Sequence, residues 1–140
     1  MQKRIRIAAF SGTRKGMTDA QKEAVNKLLA ELEITHFQHG AAIGADEEAS
    51  FIARDLSLKV TGRPGNIPVD RSKTAHAEYW SPEEAPLDRN KKLVDLSHLL
   101  IATPDGPKRL RSGTWATVNY AKKKKKTVWI VMPDGVTSQA

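Results

Sequence analysis

Apolar positions along the chain recur in two alternating rhythms. Short apolar runs predict strands at residues 5–10, 34–38, 58–61, 99–102 and 127–132. Between them, apolar residues return every three or four positions: Ala20, Ala24, Val25, Leu28, Leu29 and Leu32, then Ala45, Ala49, Ile52, Ala53 and Leu56. Such spacing buries one face of a helix. Thr18-Asp19-Ala20-Gln21 fits a capping box at the start of the first helix. Two further helices are predicted, one over 87–96 with Asp88 as N-cap, the other through Ala116, Tyr120 and Ala121. Strands alternating with helices predict an α/β fold: a single Rossmann-like domain with a mainly parallel β-sheet and helices on both faces. Ligands of such sheets gather at the carboxyl ends of the strands.

The rhythm breaks at residues 62–86, which hold Pro64, Pro68, Pro82 and Pro86 with Gly65 and Asn66 among them. A connection this long is functional or conceals an element. We read it as a covering loop, the alternative being a short helix around 74–80. Pro133-Asp134-Gly135 ends the last strand, so the domain is taken as 1–135 and residues 136–140 as a frayed tail.

A chain of 140 residues makes one domain able to bury about two-thirds of its unfolded surface. No apolar run approaches the roughly 20 residues of a membrane span, and the basic start Met1-Gln2-Lys3-Arg4 lacks the apolar stretch of a signal peptide. We therefore expect a cytosolic protein without membrane contact, and a homo-oligomer. The absence of cysteine removes disulfides, thiolate catalysis and the usual structural zinc. The net charge of +7 is local, because Lys122, Lys123, Lys124, Lys125 and Lys126 supply most of it.

The stretch His39-Gly40-Ala41-Ala42-Ile43-Gly44-Ala45-Asp46 lies between a strand and a helix and has Gly or Ala at five of eight positions. Its backbone can approach a ligand closely, at the positive end of a helix dipole. It reads as a phosphate-cradling turn or as an ordinary tight connection.

Four motifs in order carry a family resemblance: Ser11-Gly12-Thr13-Arg14 after the first strand, Gly40 to Asp46 after the second, Arg89-Asn90 opening a later helix, and Ser112-Gly113-Thr114 before the penultimate one. Together they resemble the SLOG superfamily, the Rossmann-like fold of the Smf/DprA DNA-processing proteins and the LOG nucleoside-phosphate hydrolases. The likeness leans to the DprA and YspA side and runs from Ile5 to Gly135. It implies a nucleotide-derived ligand held by Ser11, Gly12, Thr13, Arg14, Gly40, Ala41, Ala42, Gly44, Ala45, Asp46, Arg89, Asn90, Ser112, Gly113, Thr114 and Thr117. Some SLOG domains sense NAD-derived signalling nucleotides, which makes a receptor or sequestering protein the specific expectation.

LOG enzymes carry a Pro-Gly-Gly-x-Gly-Thr-x-x-Glu motif whose carboxylate, with an arginine, supports N-glycosidic cleavage. Gly113-Thr114 aligns with its Gly-Thr pair, and Thr117 stands at the carboxylate position. A threonine hydroxyl cannot stabilise an oxocarbenium-like transition state or activate water at neutral pH. The expectation is therefore binding without catalysis. Arg89 retains a donor fork suited to phosphate. Arg63 and Pro64 of the covering loop are also expected at the ligand, Pro64 stiffening Arg63.

Other chemistries fare worse. Asp46-Glu47-Glu48 could hold Mg²⁺, but acids in a first helical turn are expected from the dipole. We expect no metal and no resident cofactor. His76-Ala77-Glu78 has a deaminase spacing whose cysteine partners are missing from the chain. His36 and His39 point to opposite faces of a strand, and neither Ser11 nor Ser112 has a nucleophile-elbow sequence. The lysine run reads as a solvated helix end or as a single-stranded nucleic-acid contact of the DprA kind. Three functions stay open: small-nucleotide binder, DNA-processing accessory and nucleotide hydrolase.

Overall fold

The computed structural model describes residues 4–140; Met1, Gln2 and Lys3, part of the basic start noted above, lie outside it. Strand β1 (Ile7–Gly12) leads to α1 (Asp19–Glu31), β2 (His36–His39), α2 (Ala45–Asp55) and β3 (Lys59–Gly62). The long connection then carries a single 3₁₀ turn (Pro68–Asp70) and β4 (Tyr79–Trp80). Finally come α3 (Pro86–Asp95), β5 (Leu99–Thr103), α4 (Gly113–Lys123), β6 (Thr127–Val131) and β7 (Thr137–Gln139).

Seven strands form one sheet in the order β4-β3-β2-β1-β5-β6-β7, parallel throughout except for β7. Successive side chains of a strand face opposite ways, and the sheet uses this to feed two cores. Ala8, Phe10, Leu99 and Ile101 pack with Val25, Leu29 and Ala49 under α1 and α2. Ala9, Leu100 and Ala102 pack with Leu93, Val94, Trp115 and Val118 under α3 and α4. Helices therefore cover both faces, and the α/β expectation holds. No described helix is long and apolar enough to cross a membrane.

The capping box forms as read: the Gln21 amide donates to Thr18 Oγ1 at 3.1 Å and the Thr18 amide to Gln21 Oε1 at 3.0 Å. Buried Gln21 Nε2 also donates to the carbonyls of Pro104 and Val131, tying the start of α1 to the ends of β5 and β6.

Four expectations are corrected. The first strand ends two residues later than read, because Ser11 and Gly12 still pair with Ala102 and Thr103 of β5. The alternative helix at 74–80 is a two-residue strand, pairing Thr61↔Tyr79 and Gly62↔Trp80. Asp88 does not cap α3; Ala85 occupies that place with Pro86 in the first turn, where a missing N–H costs nothing. Residues 137–139 do not fray. A turn closed by the Gly135 amide on the Met132 carbonyl, with Gly135 at φ 86°, folds them back on β6 as β7.

Candidate functional site

From β1 the chain winds one way through β2 and β3 and the other way through β5 and β6, so the order reverses between β1 and β5. Open parallel sheets bind ligands outside such a reversal, where diverging loops leave a crevice. A cavity of about 600 Å³ lies there. Its wall includes Ser11, Gly12, Thr13 and Arg14 after β1, Gly40, Ala41, Ala42 and Asp46 after β2, Arg89 and Asn90 on α3, and Ser112, Gly113 and Thr114 at α4. Thirteen of the eighteen candidate residues thus meet at one crevice. Gly44, Ala45, Arg63, Pro64 and Thr117 are not on its wall.

Most amides of the glycine loop are engaged by the protein itself. The Ala41 amide donates to His39 Nδ1 (3.0 Å), Ala42 to Asp46 Oδ2 (3.2 Å), Ile43 to the Asp70 carbonyl (2.9 Å) and Ala45 to the Thr13 carbonyl (3.0 Å). With the amides of Ala41, Ala42, Ile43 and Ala45 all engaged, this loop is less a cradle than a buttress. Gly44, at φ 84°, stands against the Arg14 carbonyl, where any Cβ would overlap backbone. Gly12 is equally crowded, pressed between Ala45 and Thr103 Oγ1.

Two buried titratable groups hold the loop. His39 is fully buried; its Nε2 lies 2.8 Å from the His76 carbonyl and so carries the proton, leaving Nδ1 to accept from Ala41. That bond supports Ala41 at φ 56°, a conformation unfavourable for a residue with a Cβ. Burial pushes the His39 pKa down to about 4 against the hydrogen bond it donates to the His76 carbonyl, with weaker lowering by the charges of His76 and Arg89. Burial pushes Asp46 up to about 6, opposed by Arg89 and by the amides of Ala42 and Gly40.

Arg89 reaches this cluster from α3. Its Nη1 donates to the carbonyls of Gly40 and Arg63, and its Nε to Asn90 Oδ1 at 2.7 Å. Burial lowers its pKa, with Asp46 and then Asp70 acting against that, and the guanidinium stays charged. Arg63 itself turns along the sheet, where its Nε donates to Gln38 Oε1.

The N-terminus of α4 is different. Ser112 Oγ accepts only the Trp115 amide, at 3.3 Å. Among the described residues no acceptor meets the amides of Gly113 and Thr114, which lie on the cavity wall. Nothing stands within 4 Å of where a Gly113 Cβ would be. Around them the crevice gathers six cationic side chains, Arg14, Lys15, Arg71, Arg89, Arg109 and Arg111, against the carboxylates of Asp46, Asp70 and Asp105. Arg14 pairs with Asp70 at 2.6 Å, and Lys15 and Arg109 share Asp105 at 3.3 and 2.6 Å. Hydrogen bonding from Arg109 holds the Asp105 carboxyl below its ordinary range, with Lys15 adding to it. Lys15, Arg71, Arg109 and Arg111 were missed in the sequence. Only the i,i+4 pair Asp105–Arg109 left a local signal there.

No family model and no curated protein matches the chain. Solved structures do. The molybdenum cofactor binding protein from the phototrophic bacterium Rippkaea orientalis superposes with a TM-score of 0.70 at 20% identity, covering 94% of this chain and 78% of that one. The Moco carrier protein from Chlamydomonas reinhardtii gives 0.65 at 22% identity, over 94% and 77%. DNA processing protein A (DprA) from Streptococcus pneumoniae gives 0.67 at 20% identity over 90% of this chain, which spans 50% of DprA. The chain shares their Rossmann-like fold. Within this Rossmann-like fold, Thr117 is buried on α4, its Oγ1 donating to the Gly113 carbonyl at 2.9 Å. Its hydroxyl is spent within the helix.

Proposed function

We propose that this chain binds a small nucleotide-derived ligand without transforming it, acting as receptor, carrier or sequestering protein. One observation carries the reading: Gly113 and Thr114, whose amides meet no acceptor among the described residues, line a crevice rich in arginine at the sheet's reversal point. Helix N-termini with unengaged N–H groups favour phosphate, and arginine grips it with two parallel bonds. The phosphate of the ligand would sit on α4, with the glycine loop shaping the opposite wall. The names of two structural neighbours make the molybdenum cofactor a second candidate occupant.

Native mass spectrometry of the purified protein should find a phosphorylated small molecule retained. Calorimetric titration with AMP tests the anion site directly through Gly113→Pro. Proline is tolerated at the first position of a helix and deletes a single N–H. Loss of one charge-assisted contact, about 1.5–3 kcal/mol, should weaken AMP ten- to a hundredfold with the fold intact. Equal affinity in both proteins would remove the phosphate from α4.

A second reading rests on Tyr120, whose ring lies 5.9 Å from Lys91 Nζ and 5.6 Å from Lys124 Nζ. An aromatic face between lysines suits single-stranded nucleic acid, the expectation attached to Lys122–126. Binding of oligo-dT that falls steeply with salt, and is lost when those lysines become Gln, would support it.

A further inference from the structure

A second cavity of about 450 Å³ lies on the far side of the covering loop, and Gly65 and Arg71 line both it and the main crevice. Its floor carries Trp80, with Lys73 and Glu83 beside it. Trp80 is 40% exposed yet firmly held. Its six-membered ring lies against Gly62, where a Cβ would overlap it, and its edge meets His39 at 84° and 6.1 Å. The backbone on either side is pinned, since the Ser81 amide donates to the Gly62 carbonyl at 2.9 Å and the Glu78 amide to the Val60 carbonyl at 2.9 Å. A large rigid indole facing an open cavity adds little to the core and is suited to a planar guest. Arg71 stands on the saddle between the cavities, its Nη1 3.0 Å from Glu83 at an exposed pair that exchanges readily.

We propose that the second cavity is a subsite of the main one and takes the distal heterocycle of a dinucleotide. The distal ring stacks on Trp80, and Arg71 meets the bridging diphosphate. This rests on the nucleotide reading of the main crevice and narrows its ligand class from mononucleotides to dinucleotides.

The test compares AMP, ADP and diadenosine diphosphate by calorimetry and tryptophan fluorescence. Diadenosine diphosphate should bind at least tenfold tighter than ADP and quench a component of the emission that AMP leaves untouched. Trp80→Ala should remove that advantage and that quenching while leaving AMP affinity unchanged, which also shows that the variant is folded. Equal affinity for ADP and diadenosine diphosphate in the wild-type protein, or an advantage that survives Trp80→Ala, overturns the subsite and leaves the main crevice standing. Binding of none of the three overturns both readings.

Discussion

The Asp46 carboxyl accepts the Ala42 amide hydrogen at 3.2 Å, so the glycine loop encloses an anion that belongs to the protein. An internal carboxylate there repels a phosphate placed on the same amides. This is why the free donors of α4, rather than the loop that dominates the sequence, take the anion in our reading.

Asp46 and His39 should oppose each other in the pH dependence of stability. Asp46 rises from 3.8 to about 6 on folding, so the folded chain holds the proton more tightly and stability falls as pH rises from about 4 to 6. His39 drops from 6.5 to about 4, so the unfolded chain holds that proton and stability rises over nearly the same window. Relative to wild type, Asp46→Asn should tilt the unfolding free energy upward with pH and His39→Gln downward, each by up to about 1.4 kcal/mol per unit. Urea denaturation at pH 4.5, 5.5 and 6.5 measures both slopes; three parallel curves would contradict the buried cluster.

Arg63 and Arg89 should separate cleanly. Arg63 is engaged by Gln38 and is absent from both cavity walls, so Arg63→Ala should change AMP affinity less than threefold. Arg89→Ala removes a cation from the crevice and from the neighbourhood of buried Asp46, whose charged form it favours. It should weaken AMP more than tenfold and lower the thermal midpoint. Arg89→Lys should not restore either, since one ammonium on a flexible stem cannot reproduce the fork that spans Gly40, Arg63 and Asn90.

Gly44→Val should act through the fold before it acts on a ligand. A side chain at φ 84° is strained, and its Cβ would overlap the Arg14 backbone. Strain and overlap together cost at least about 2 kcal/mol, and the displaced β1–α1 loop takes Arg14 and Lys15 out of the crevice. The readout is a lowered denaturation midpoint accompanied by lost AMP binding; retained stability with lost binding would place the ligand on Gly44 itself.

Incubation of the wild-type protein with AMP should release no adenine above background by chromatography. Thr117 is bonded to the Gly113 carbonyl and offers no carboxylate to the crevice. Turnover abolished by Arg89→Ala would make the protein a hydrolase.

The legible parts of this fold were those written locally. Ala8 and Ala9 sit on opposite faces because strands alternate, and the capping box of α1 closes within four residues. Thr137-Ser138-Gln139 has no apolar pattern, and its strand exists only because a turn returns it to β6. Tyr79-Trp80 is shorter than any period and pairs through a glycine 18 residues away. The crevice was legible where motifs follow strands and illegible where the covering loop arrives from afar. Asp70 and Arg71 reach it because the Ile43 amide meets the Asp70 carbonyl and the Ser72 amide the Ala41 carbonyl, contacts that no local rule encodes. Arg63 misled for the same reason: a neighbouring proline says nothing about Gln38.

The sheet ends in a two-residue strand on one side and a three-residue antiparallel strand on the other. Short outer strands offer a poor template for continuing a ladder, the route by which parallel sheets join into larger sheets or fibres. The sheet thus offers little edge for another strand to extend, and the crevice with its arginines lies at the strand ends, away from both edges.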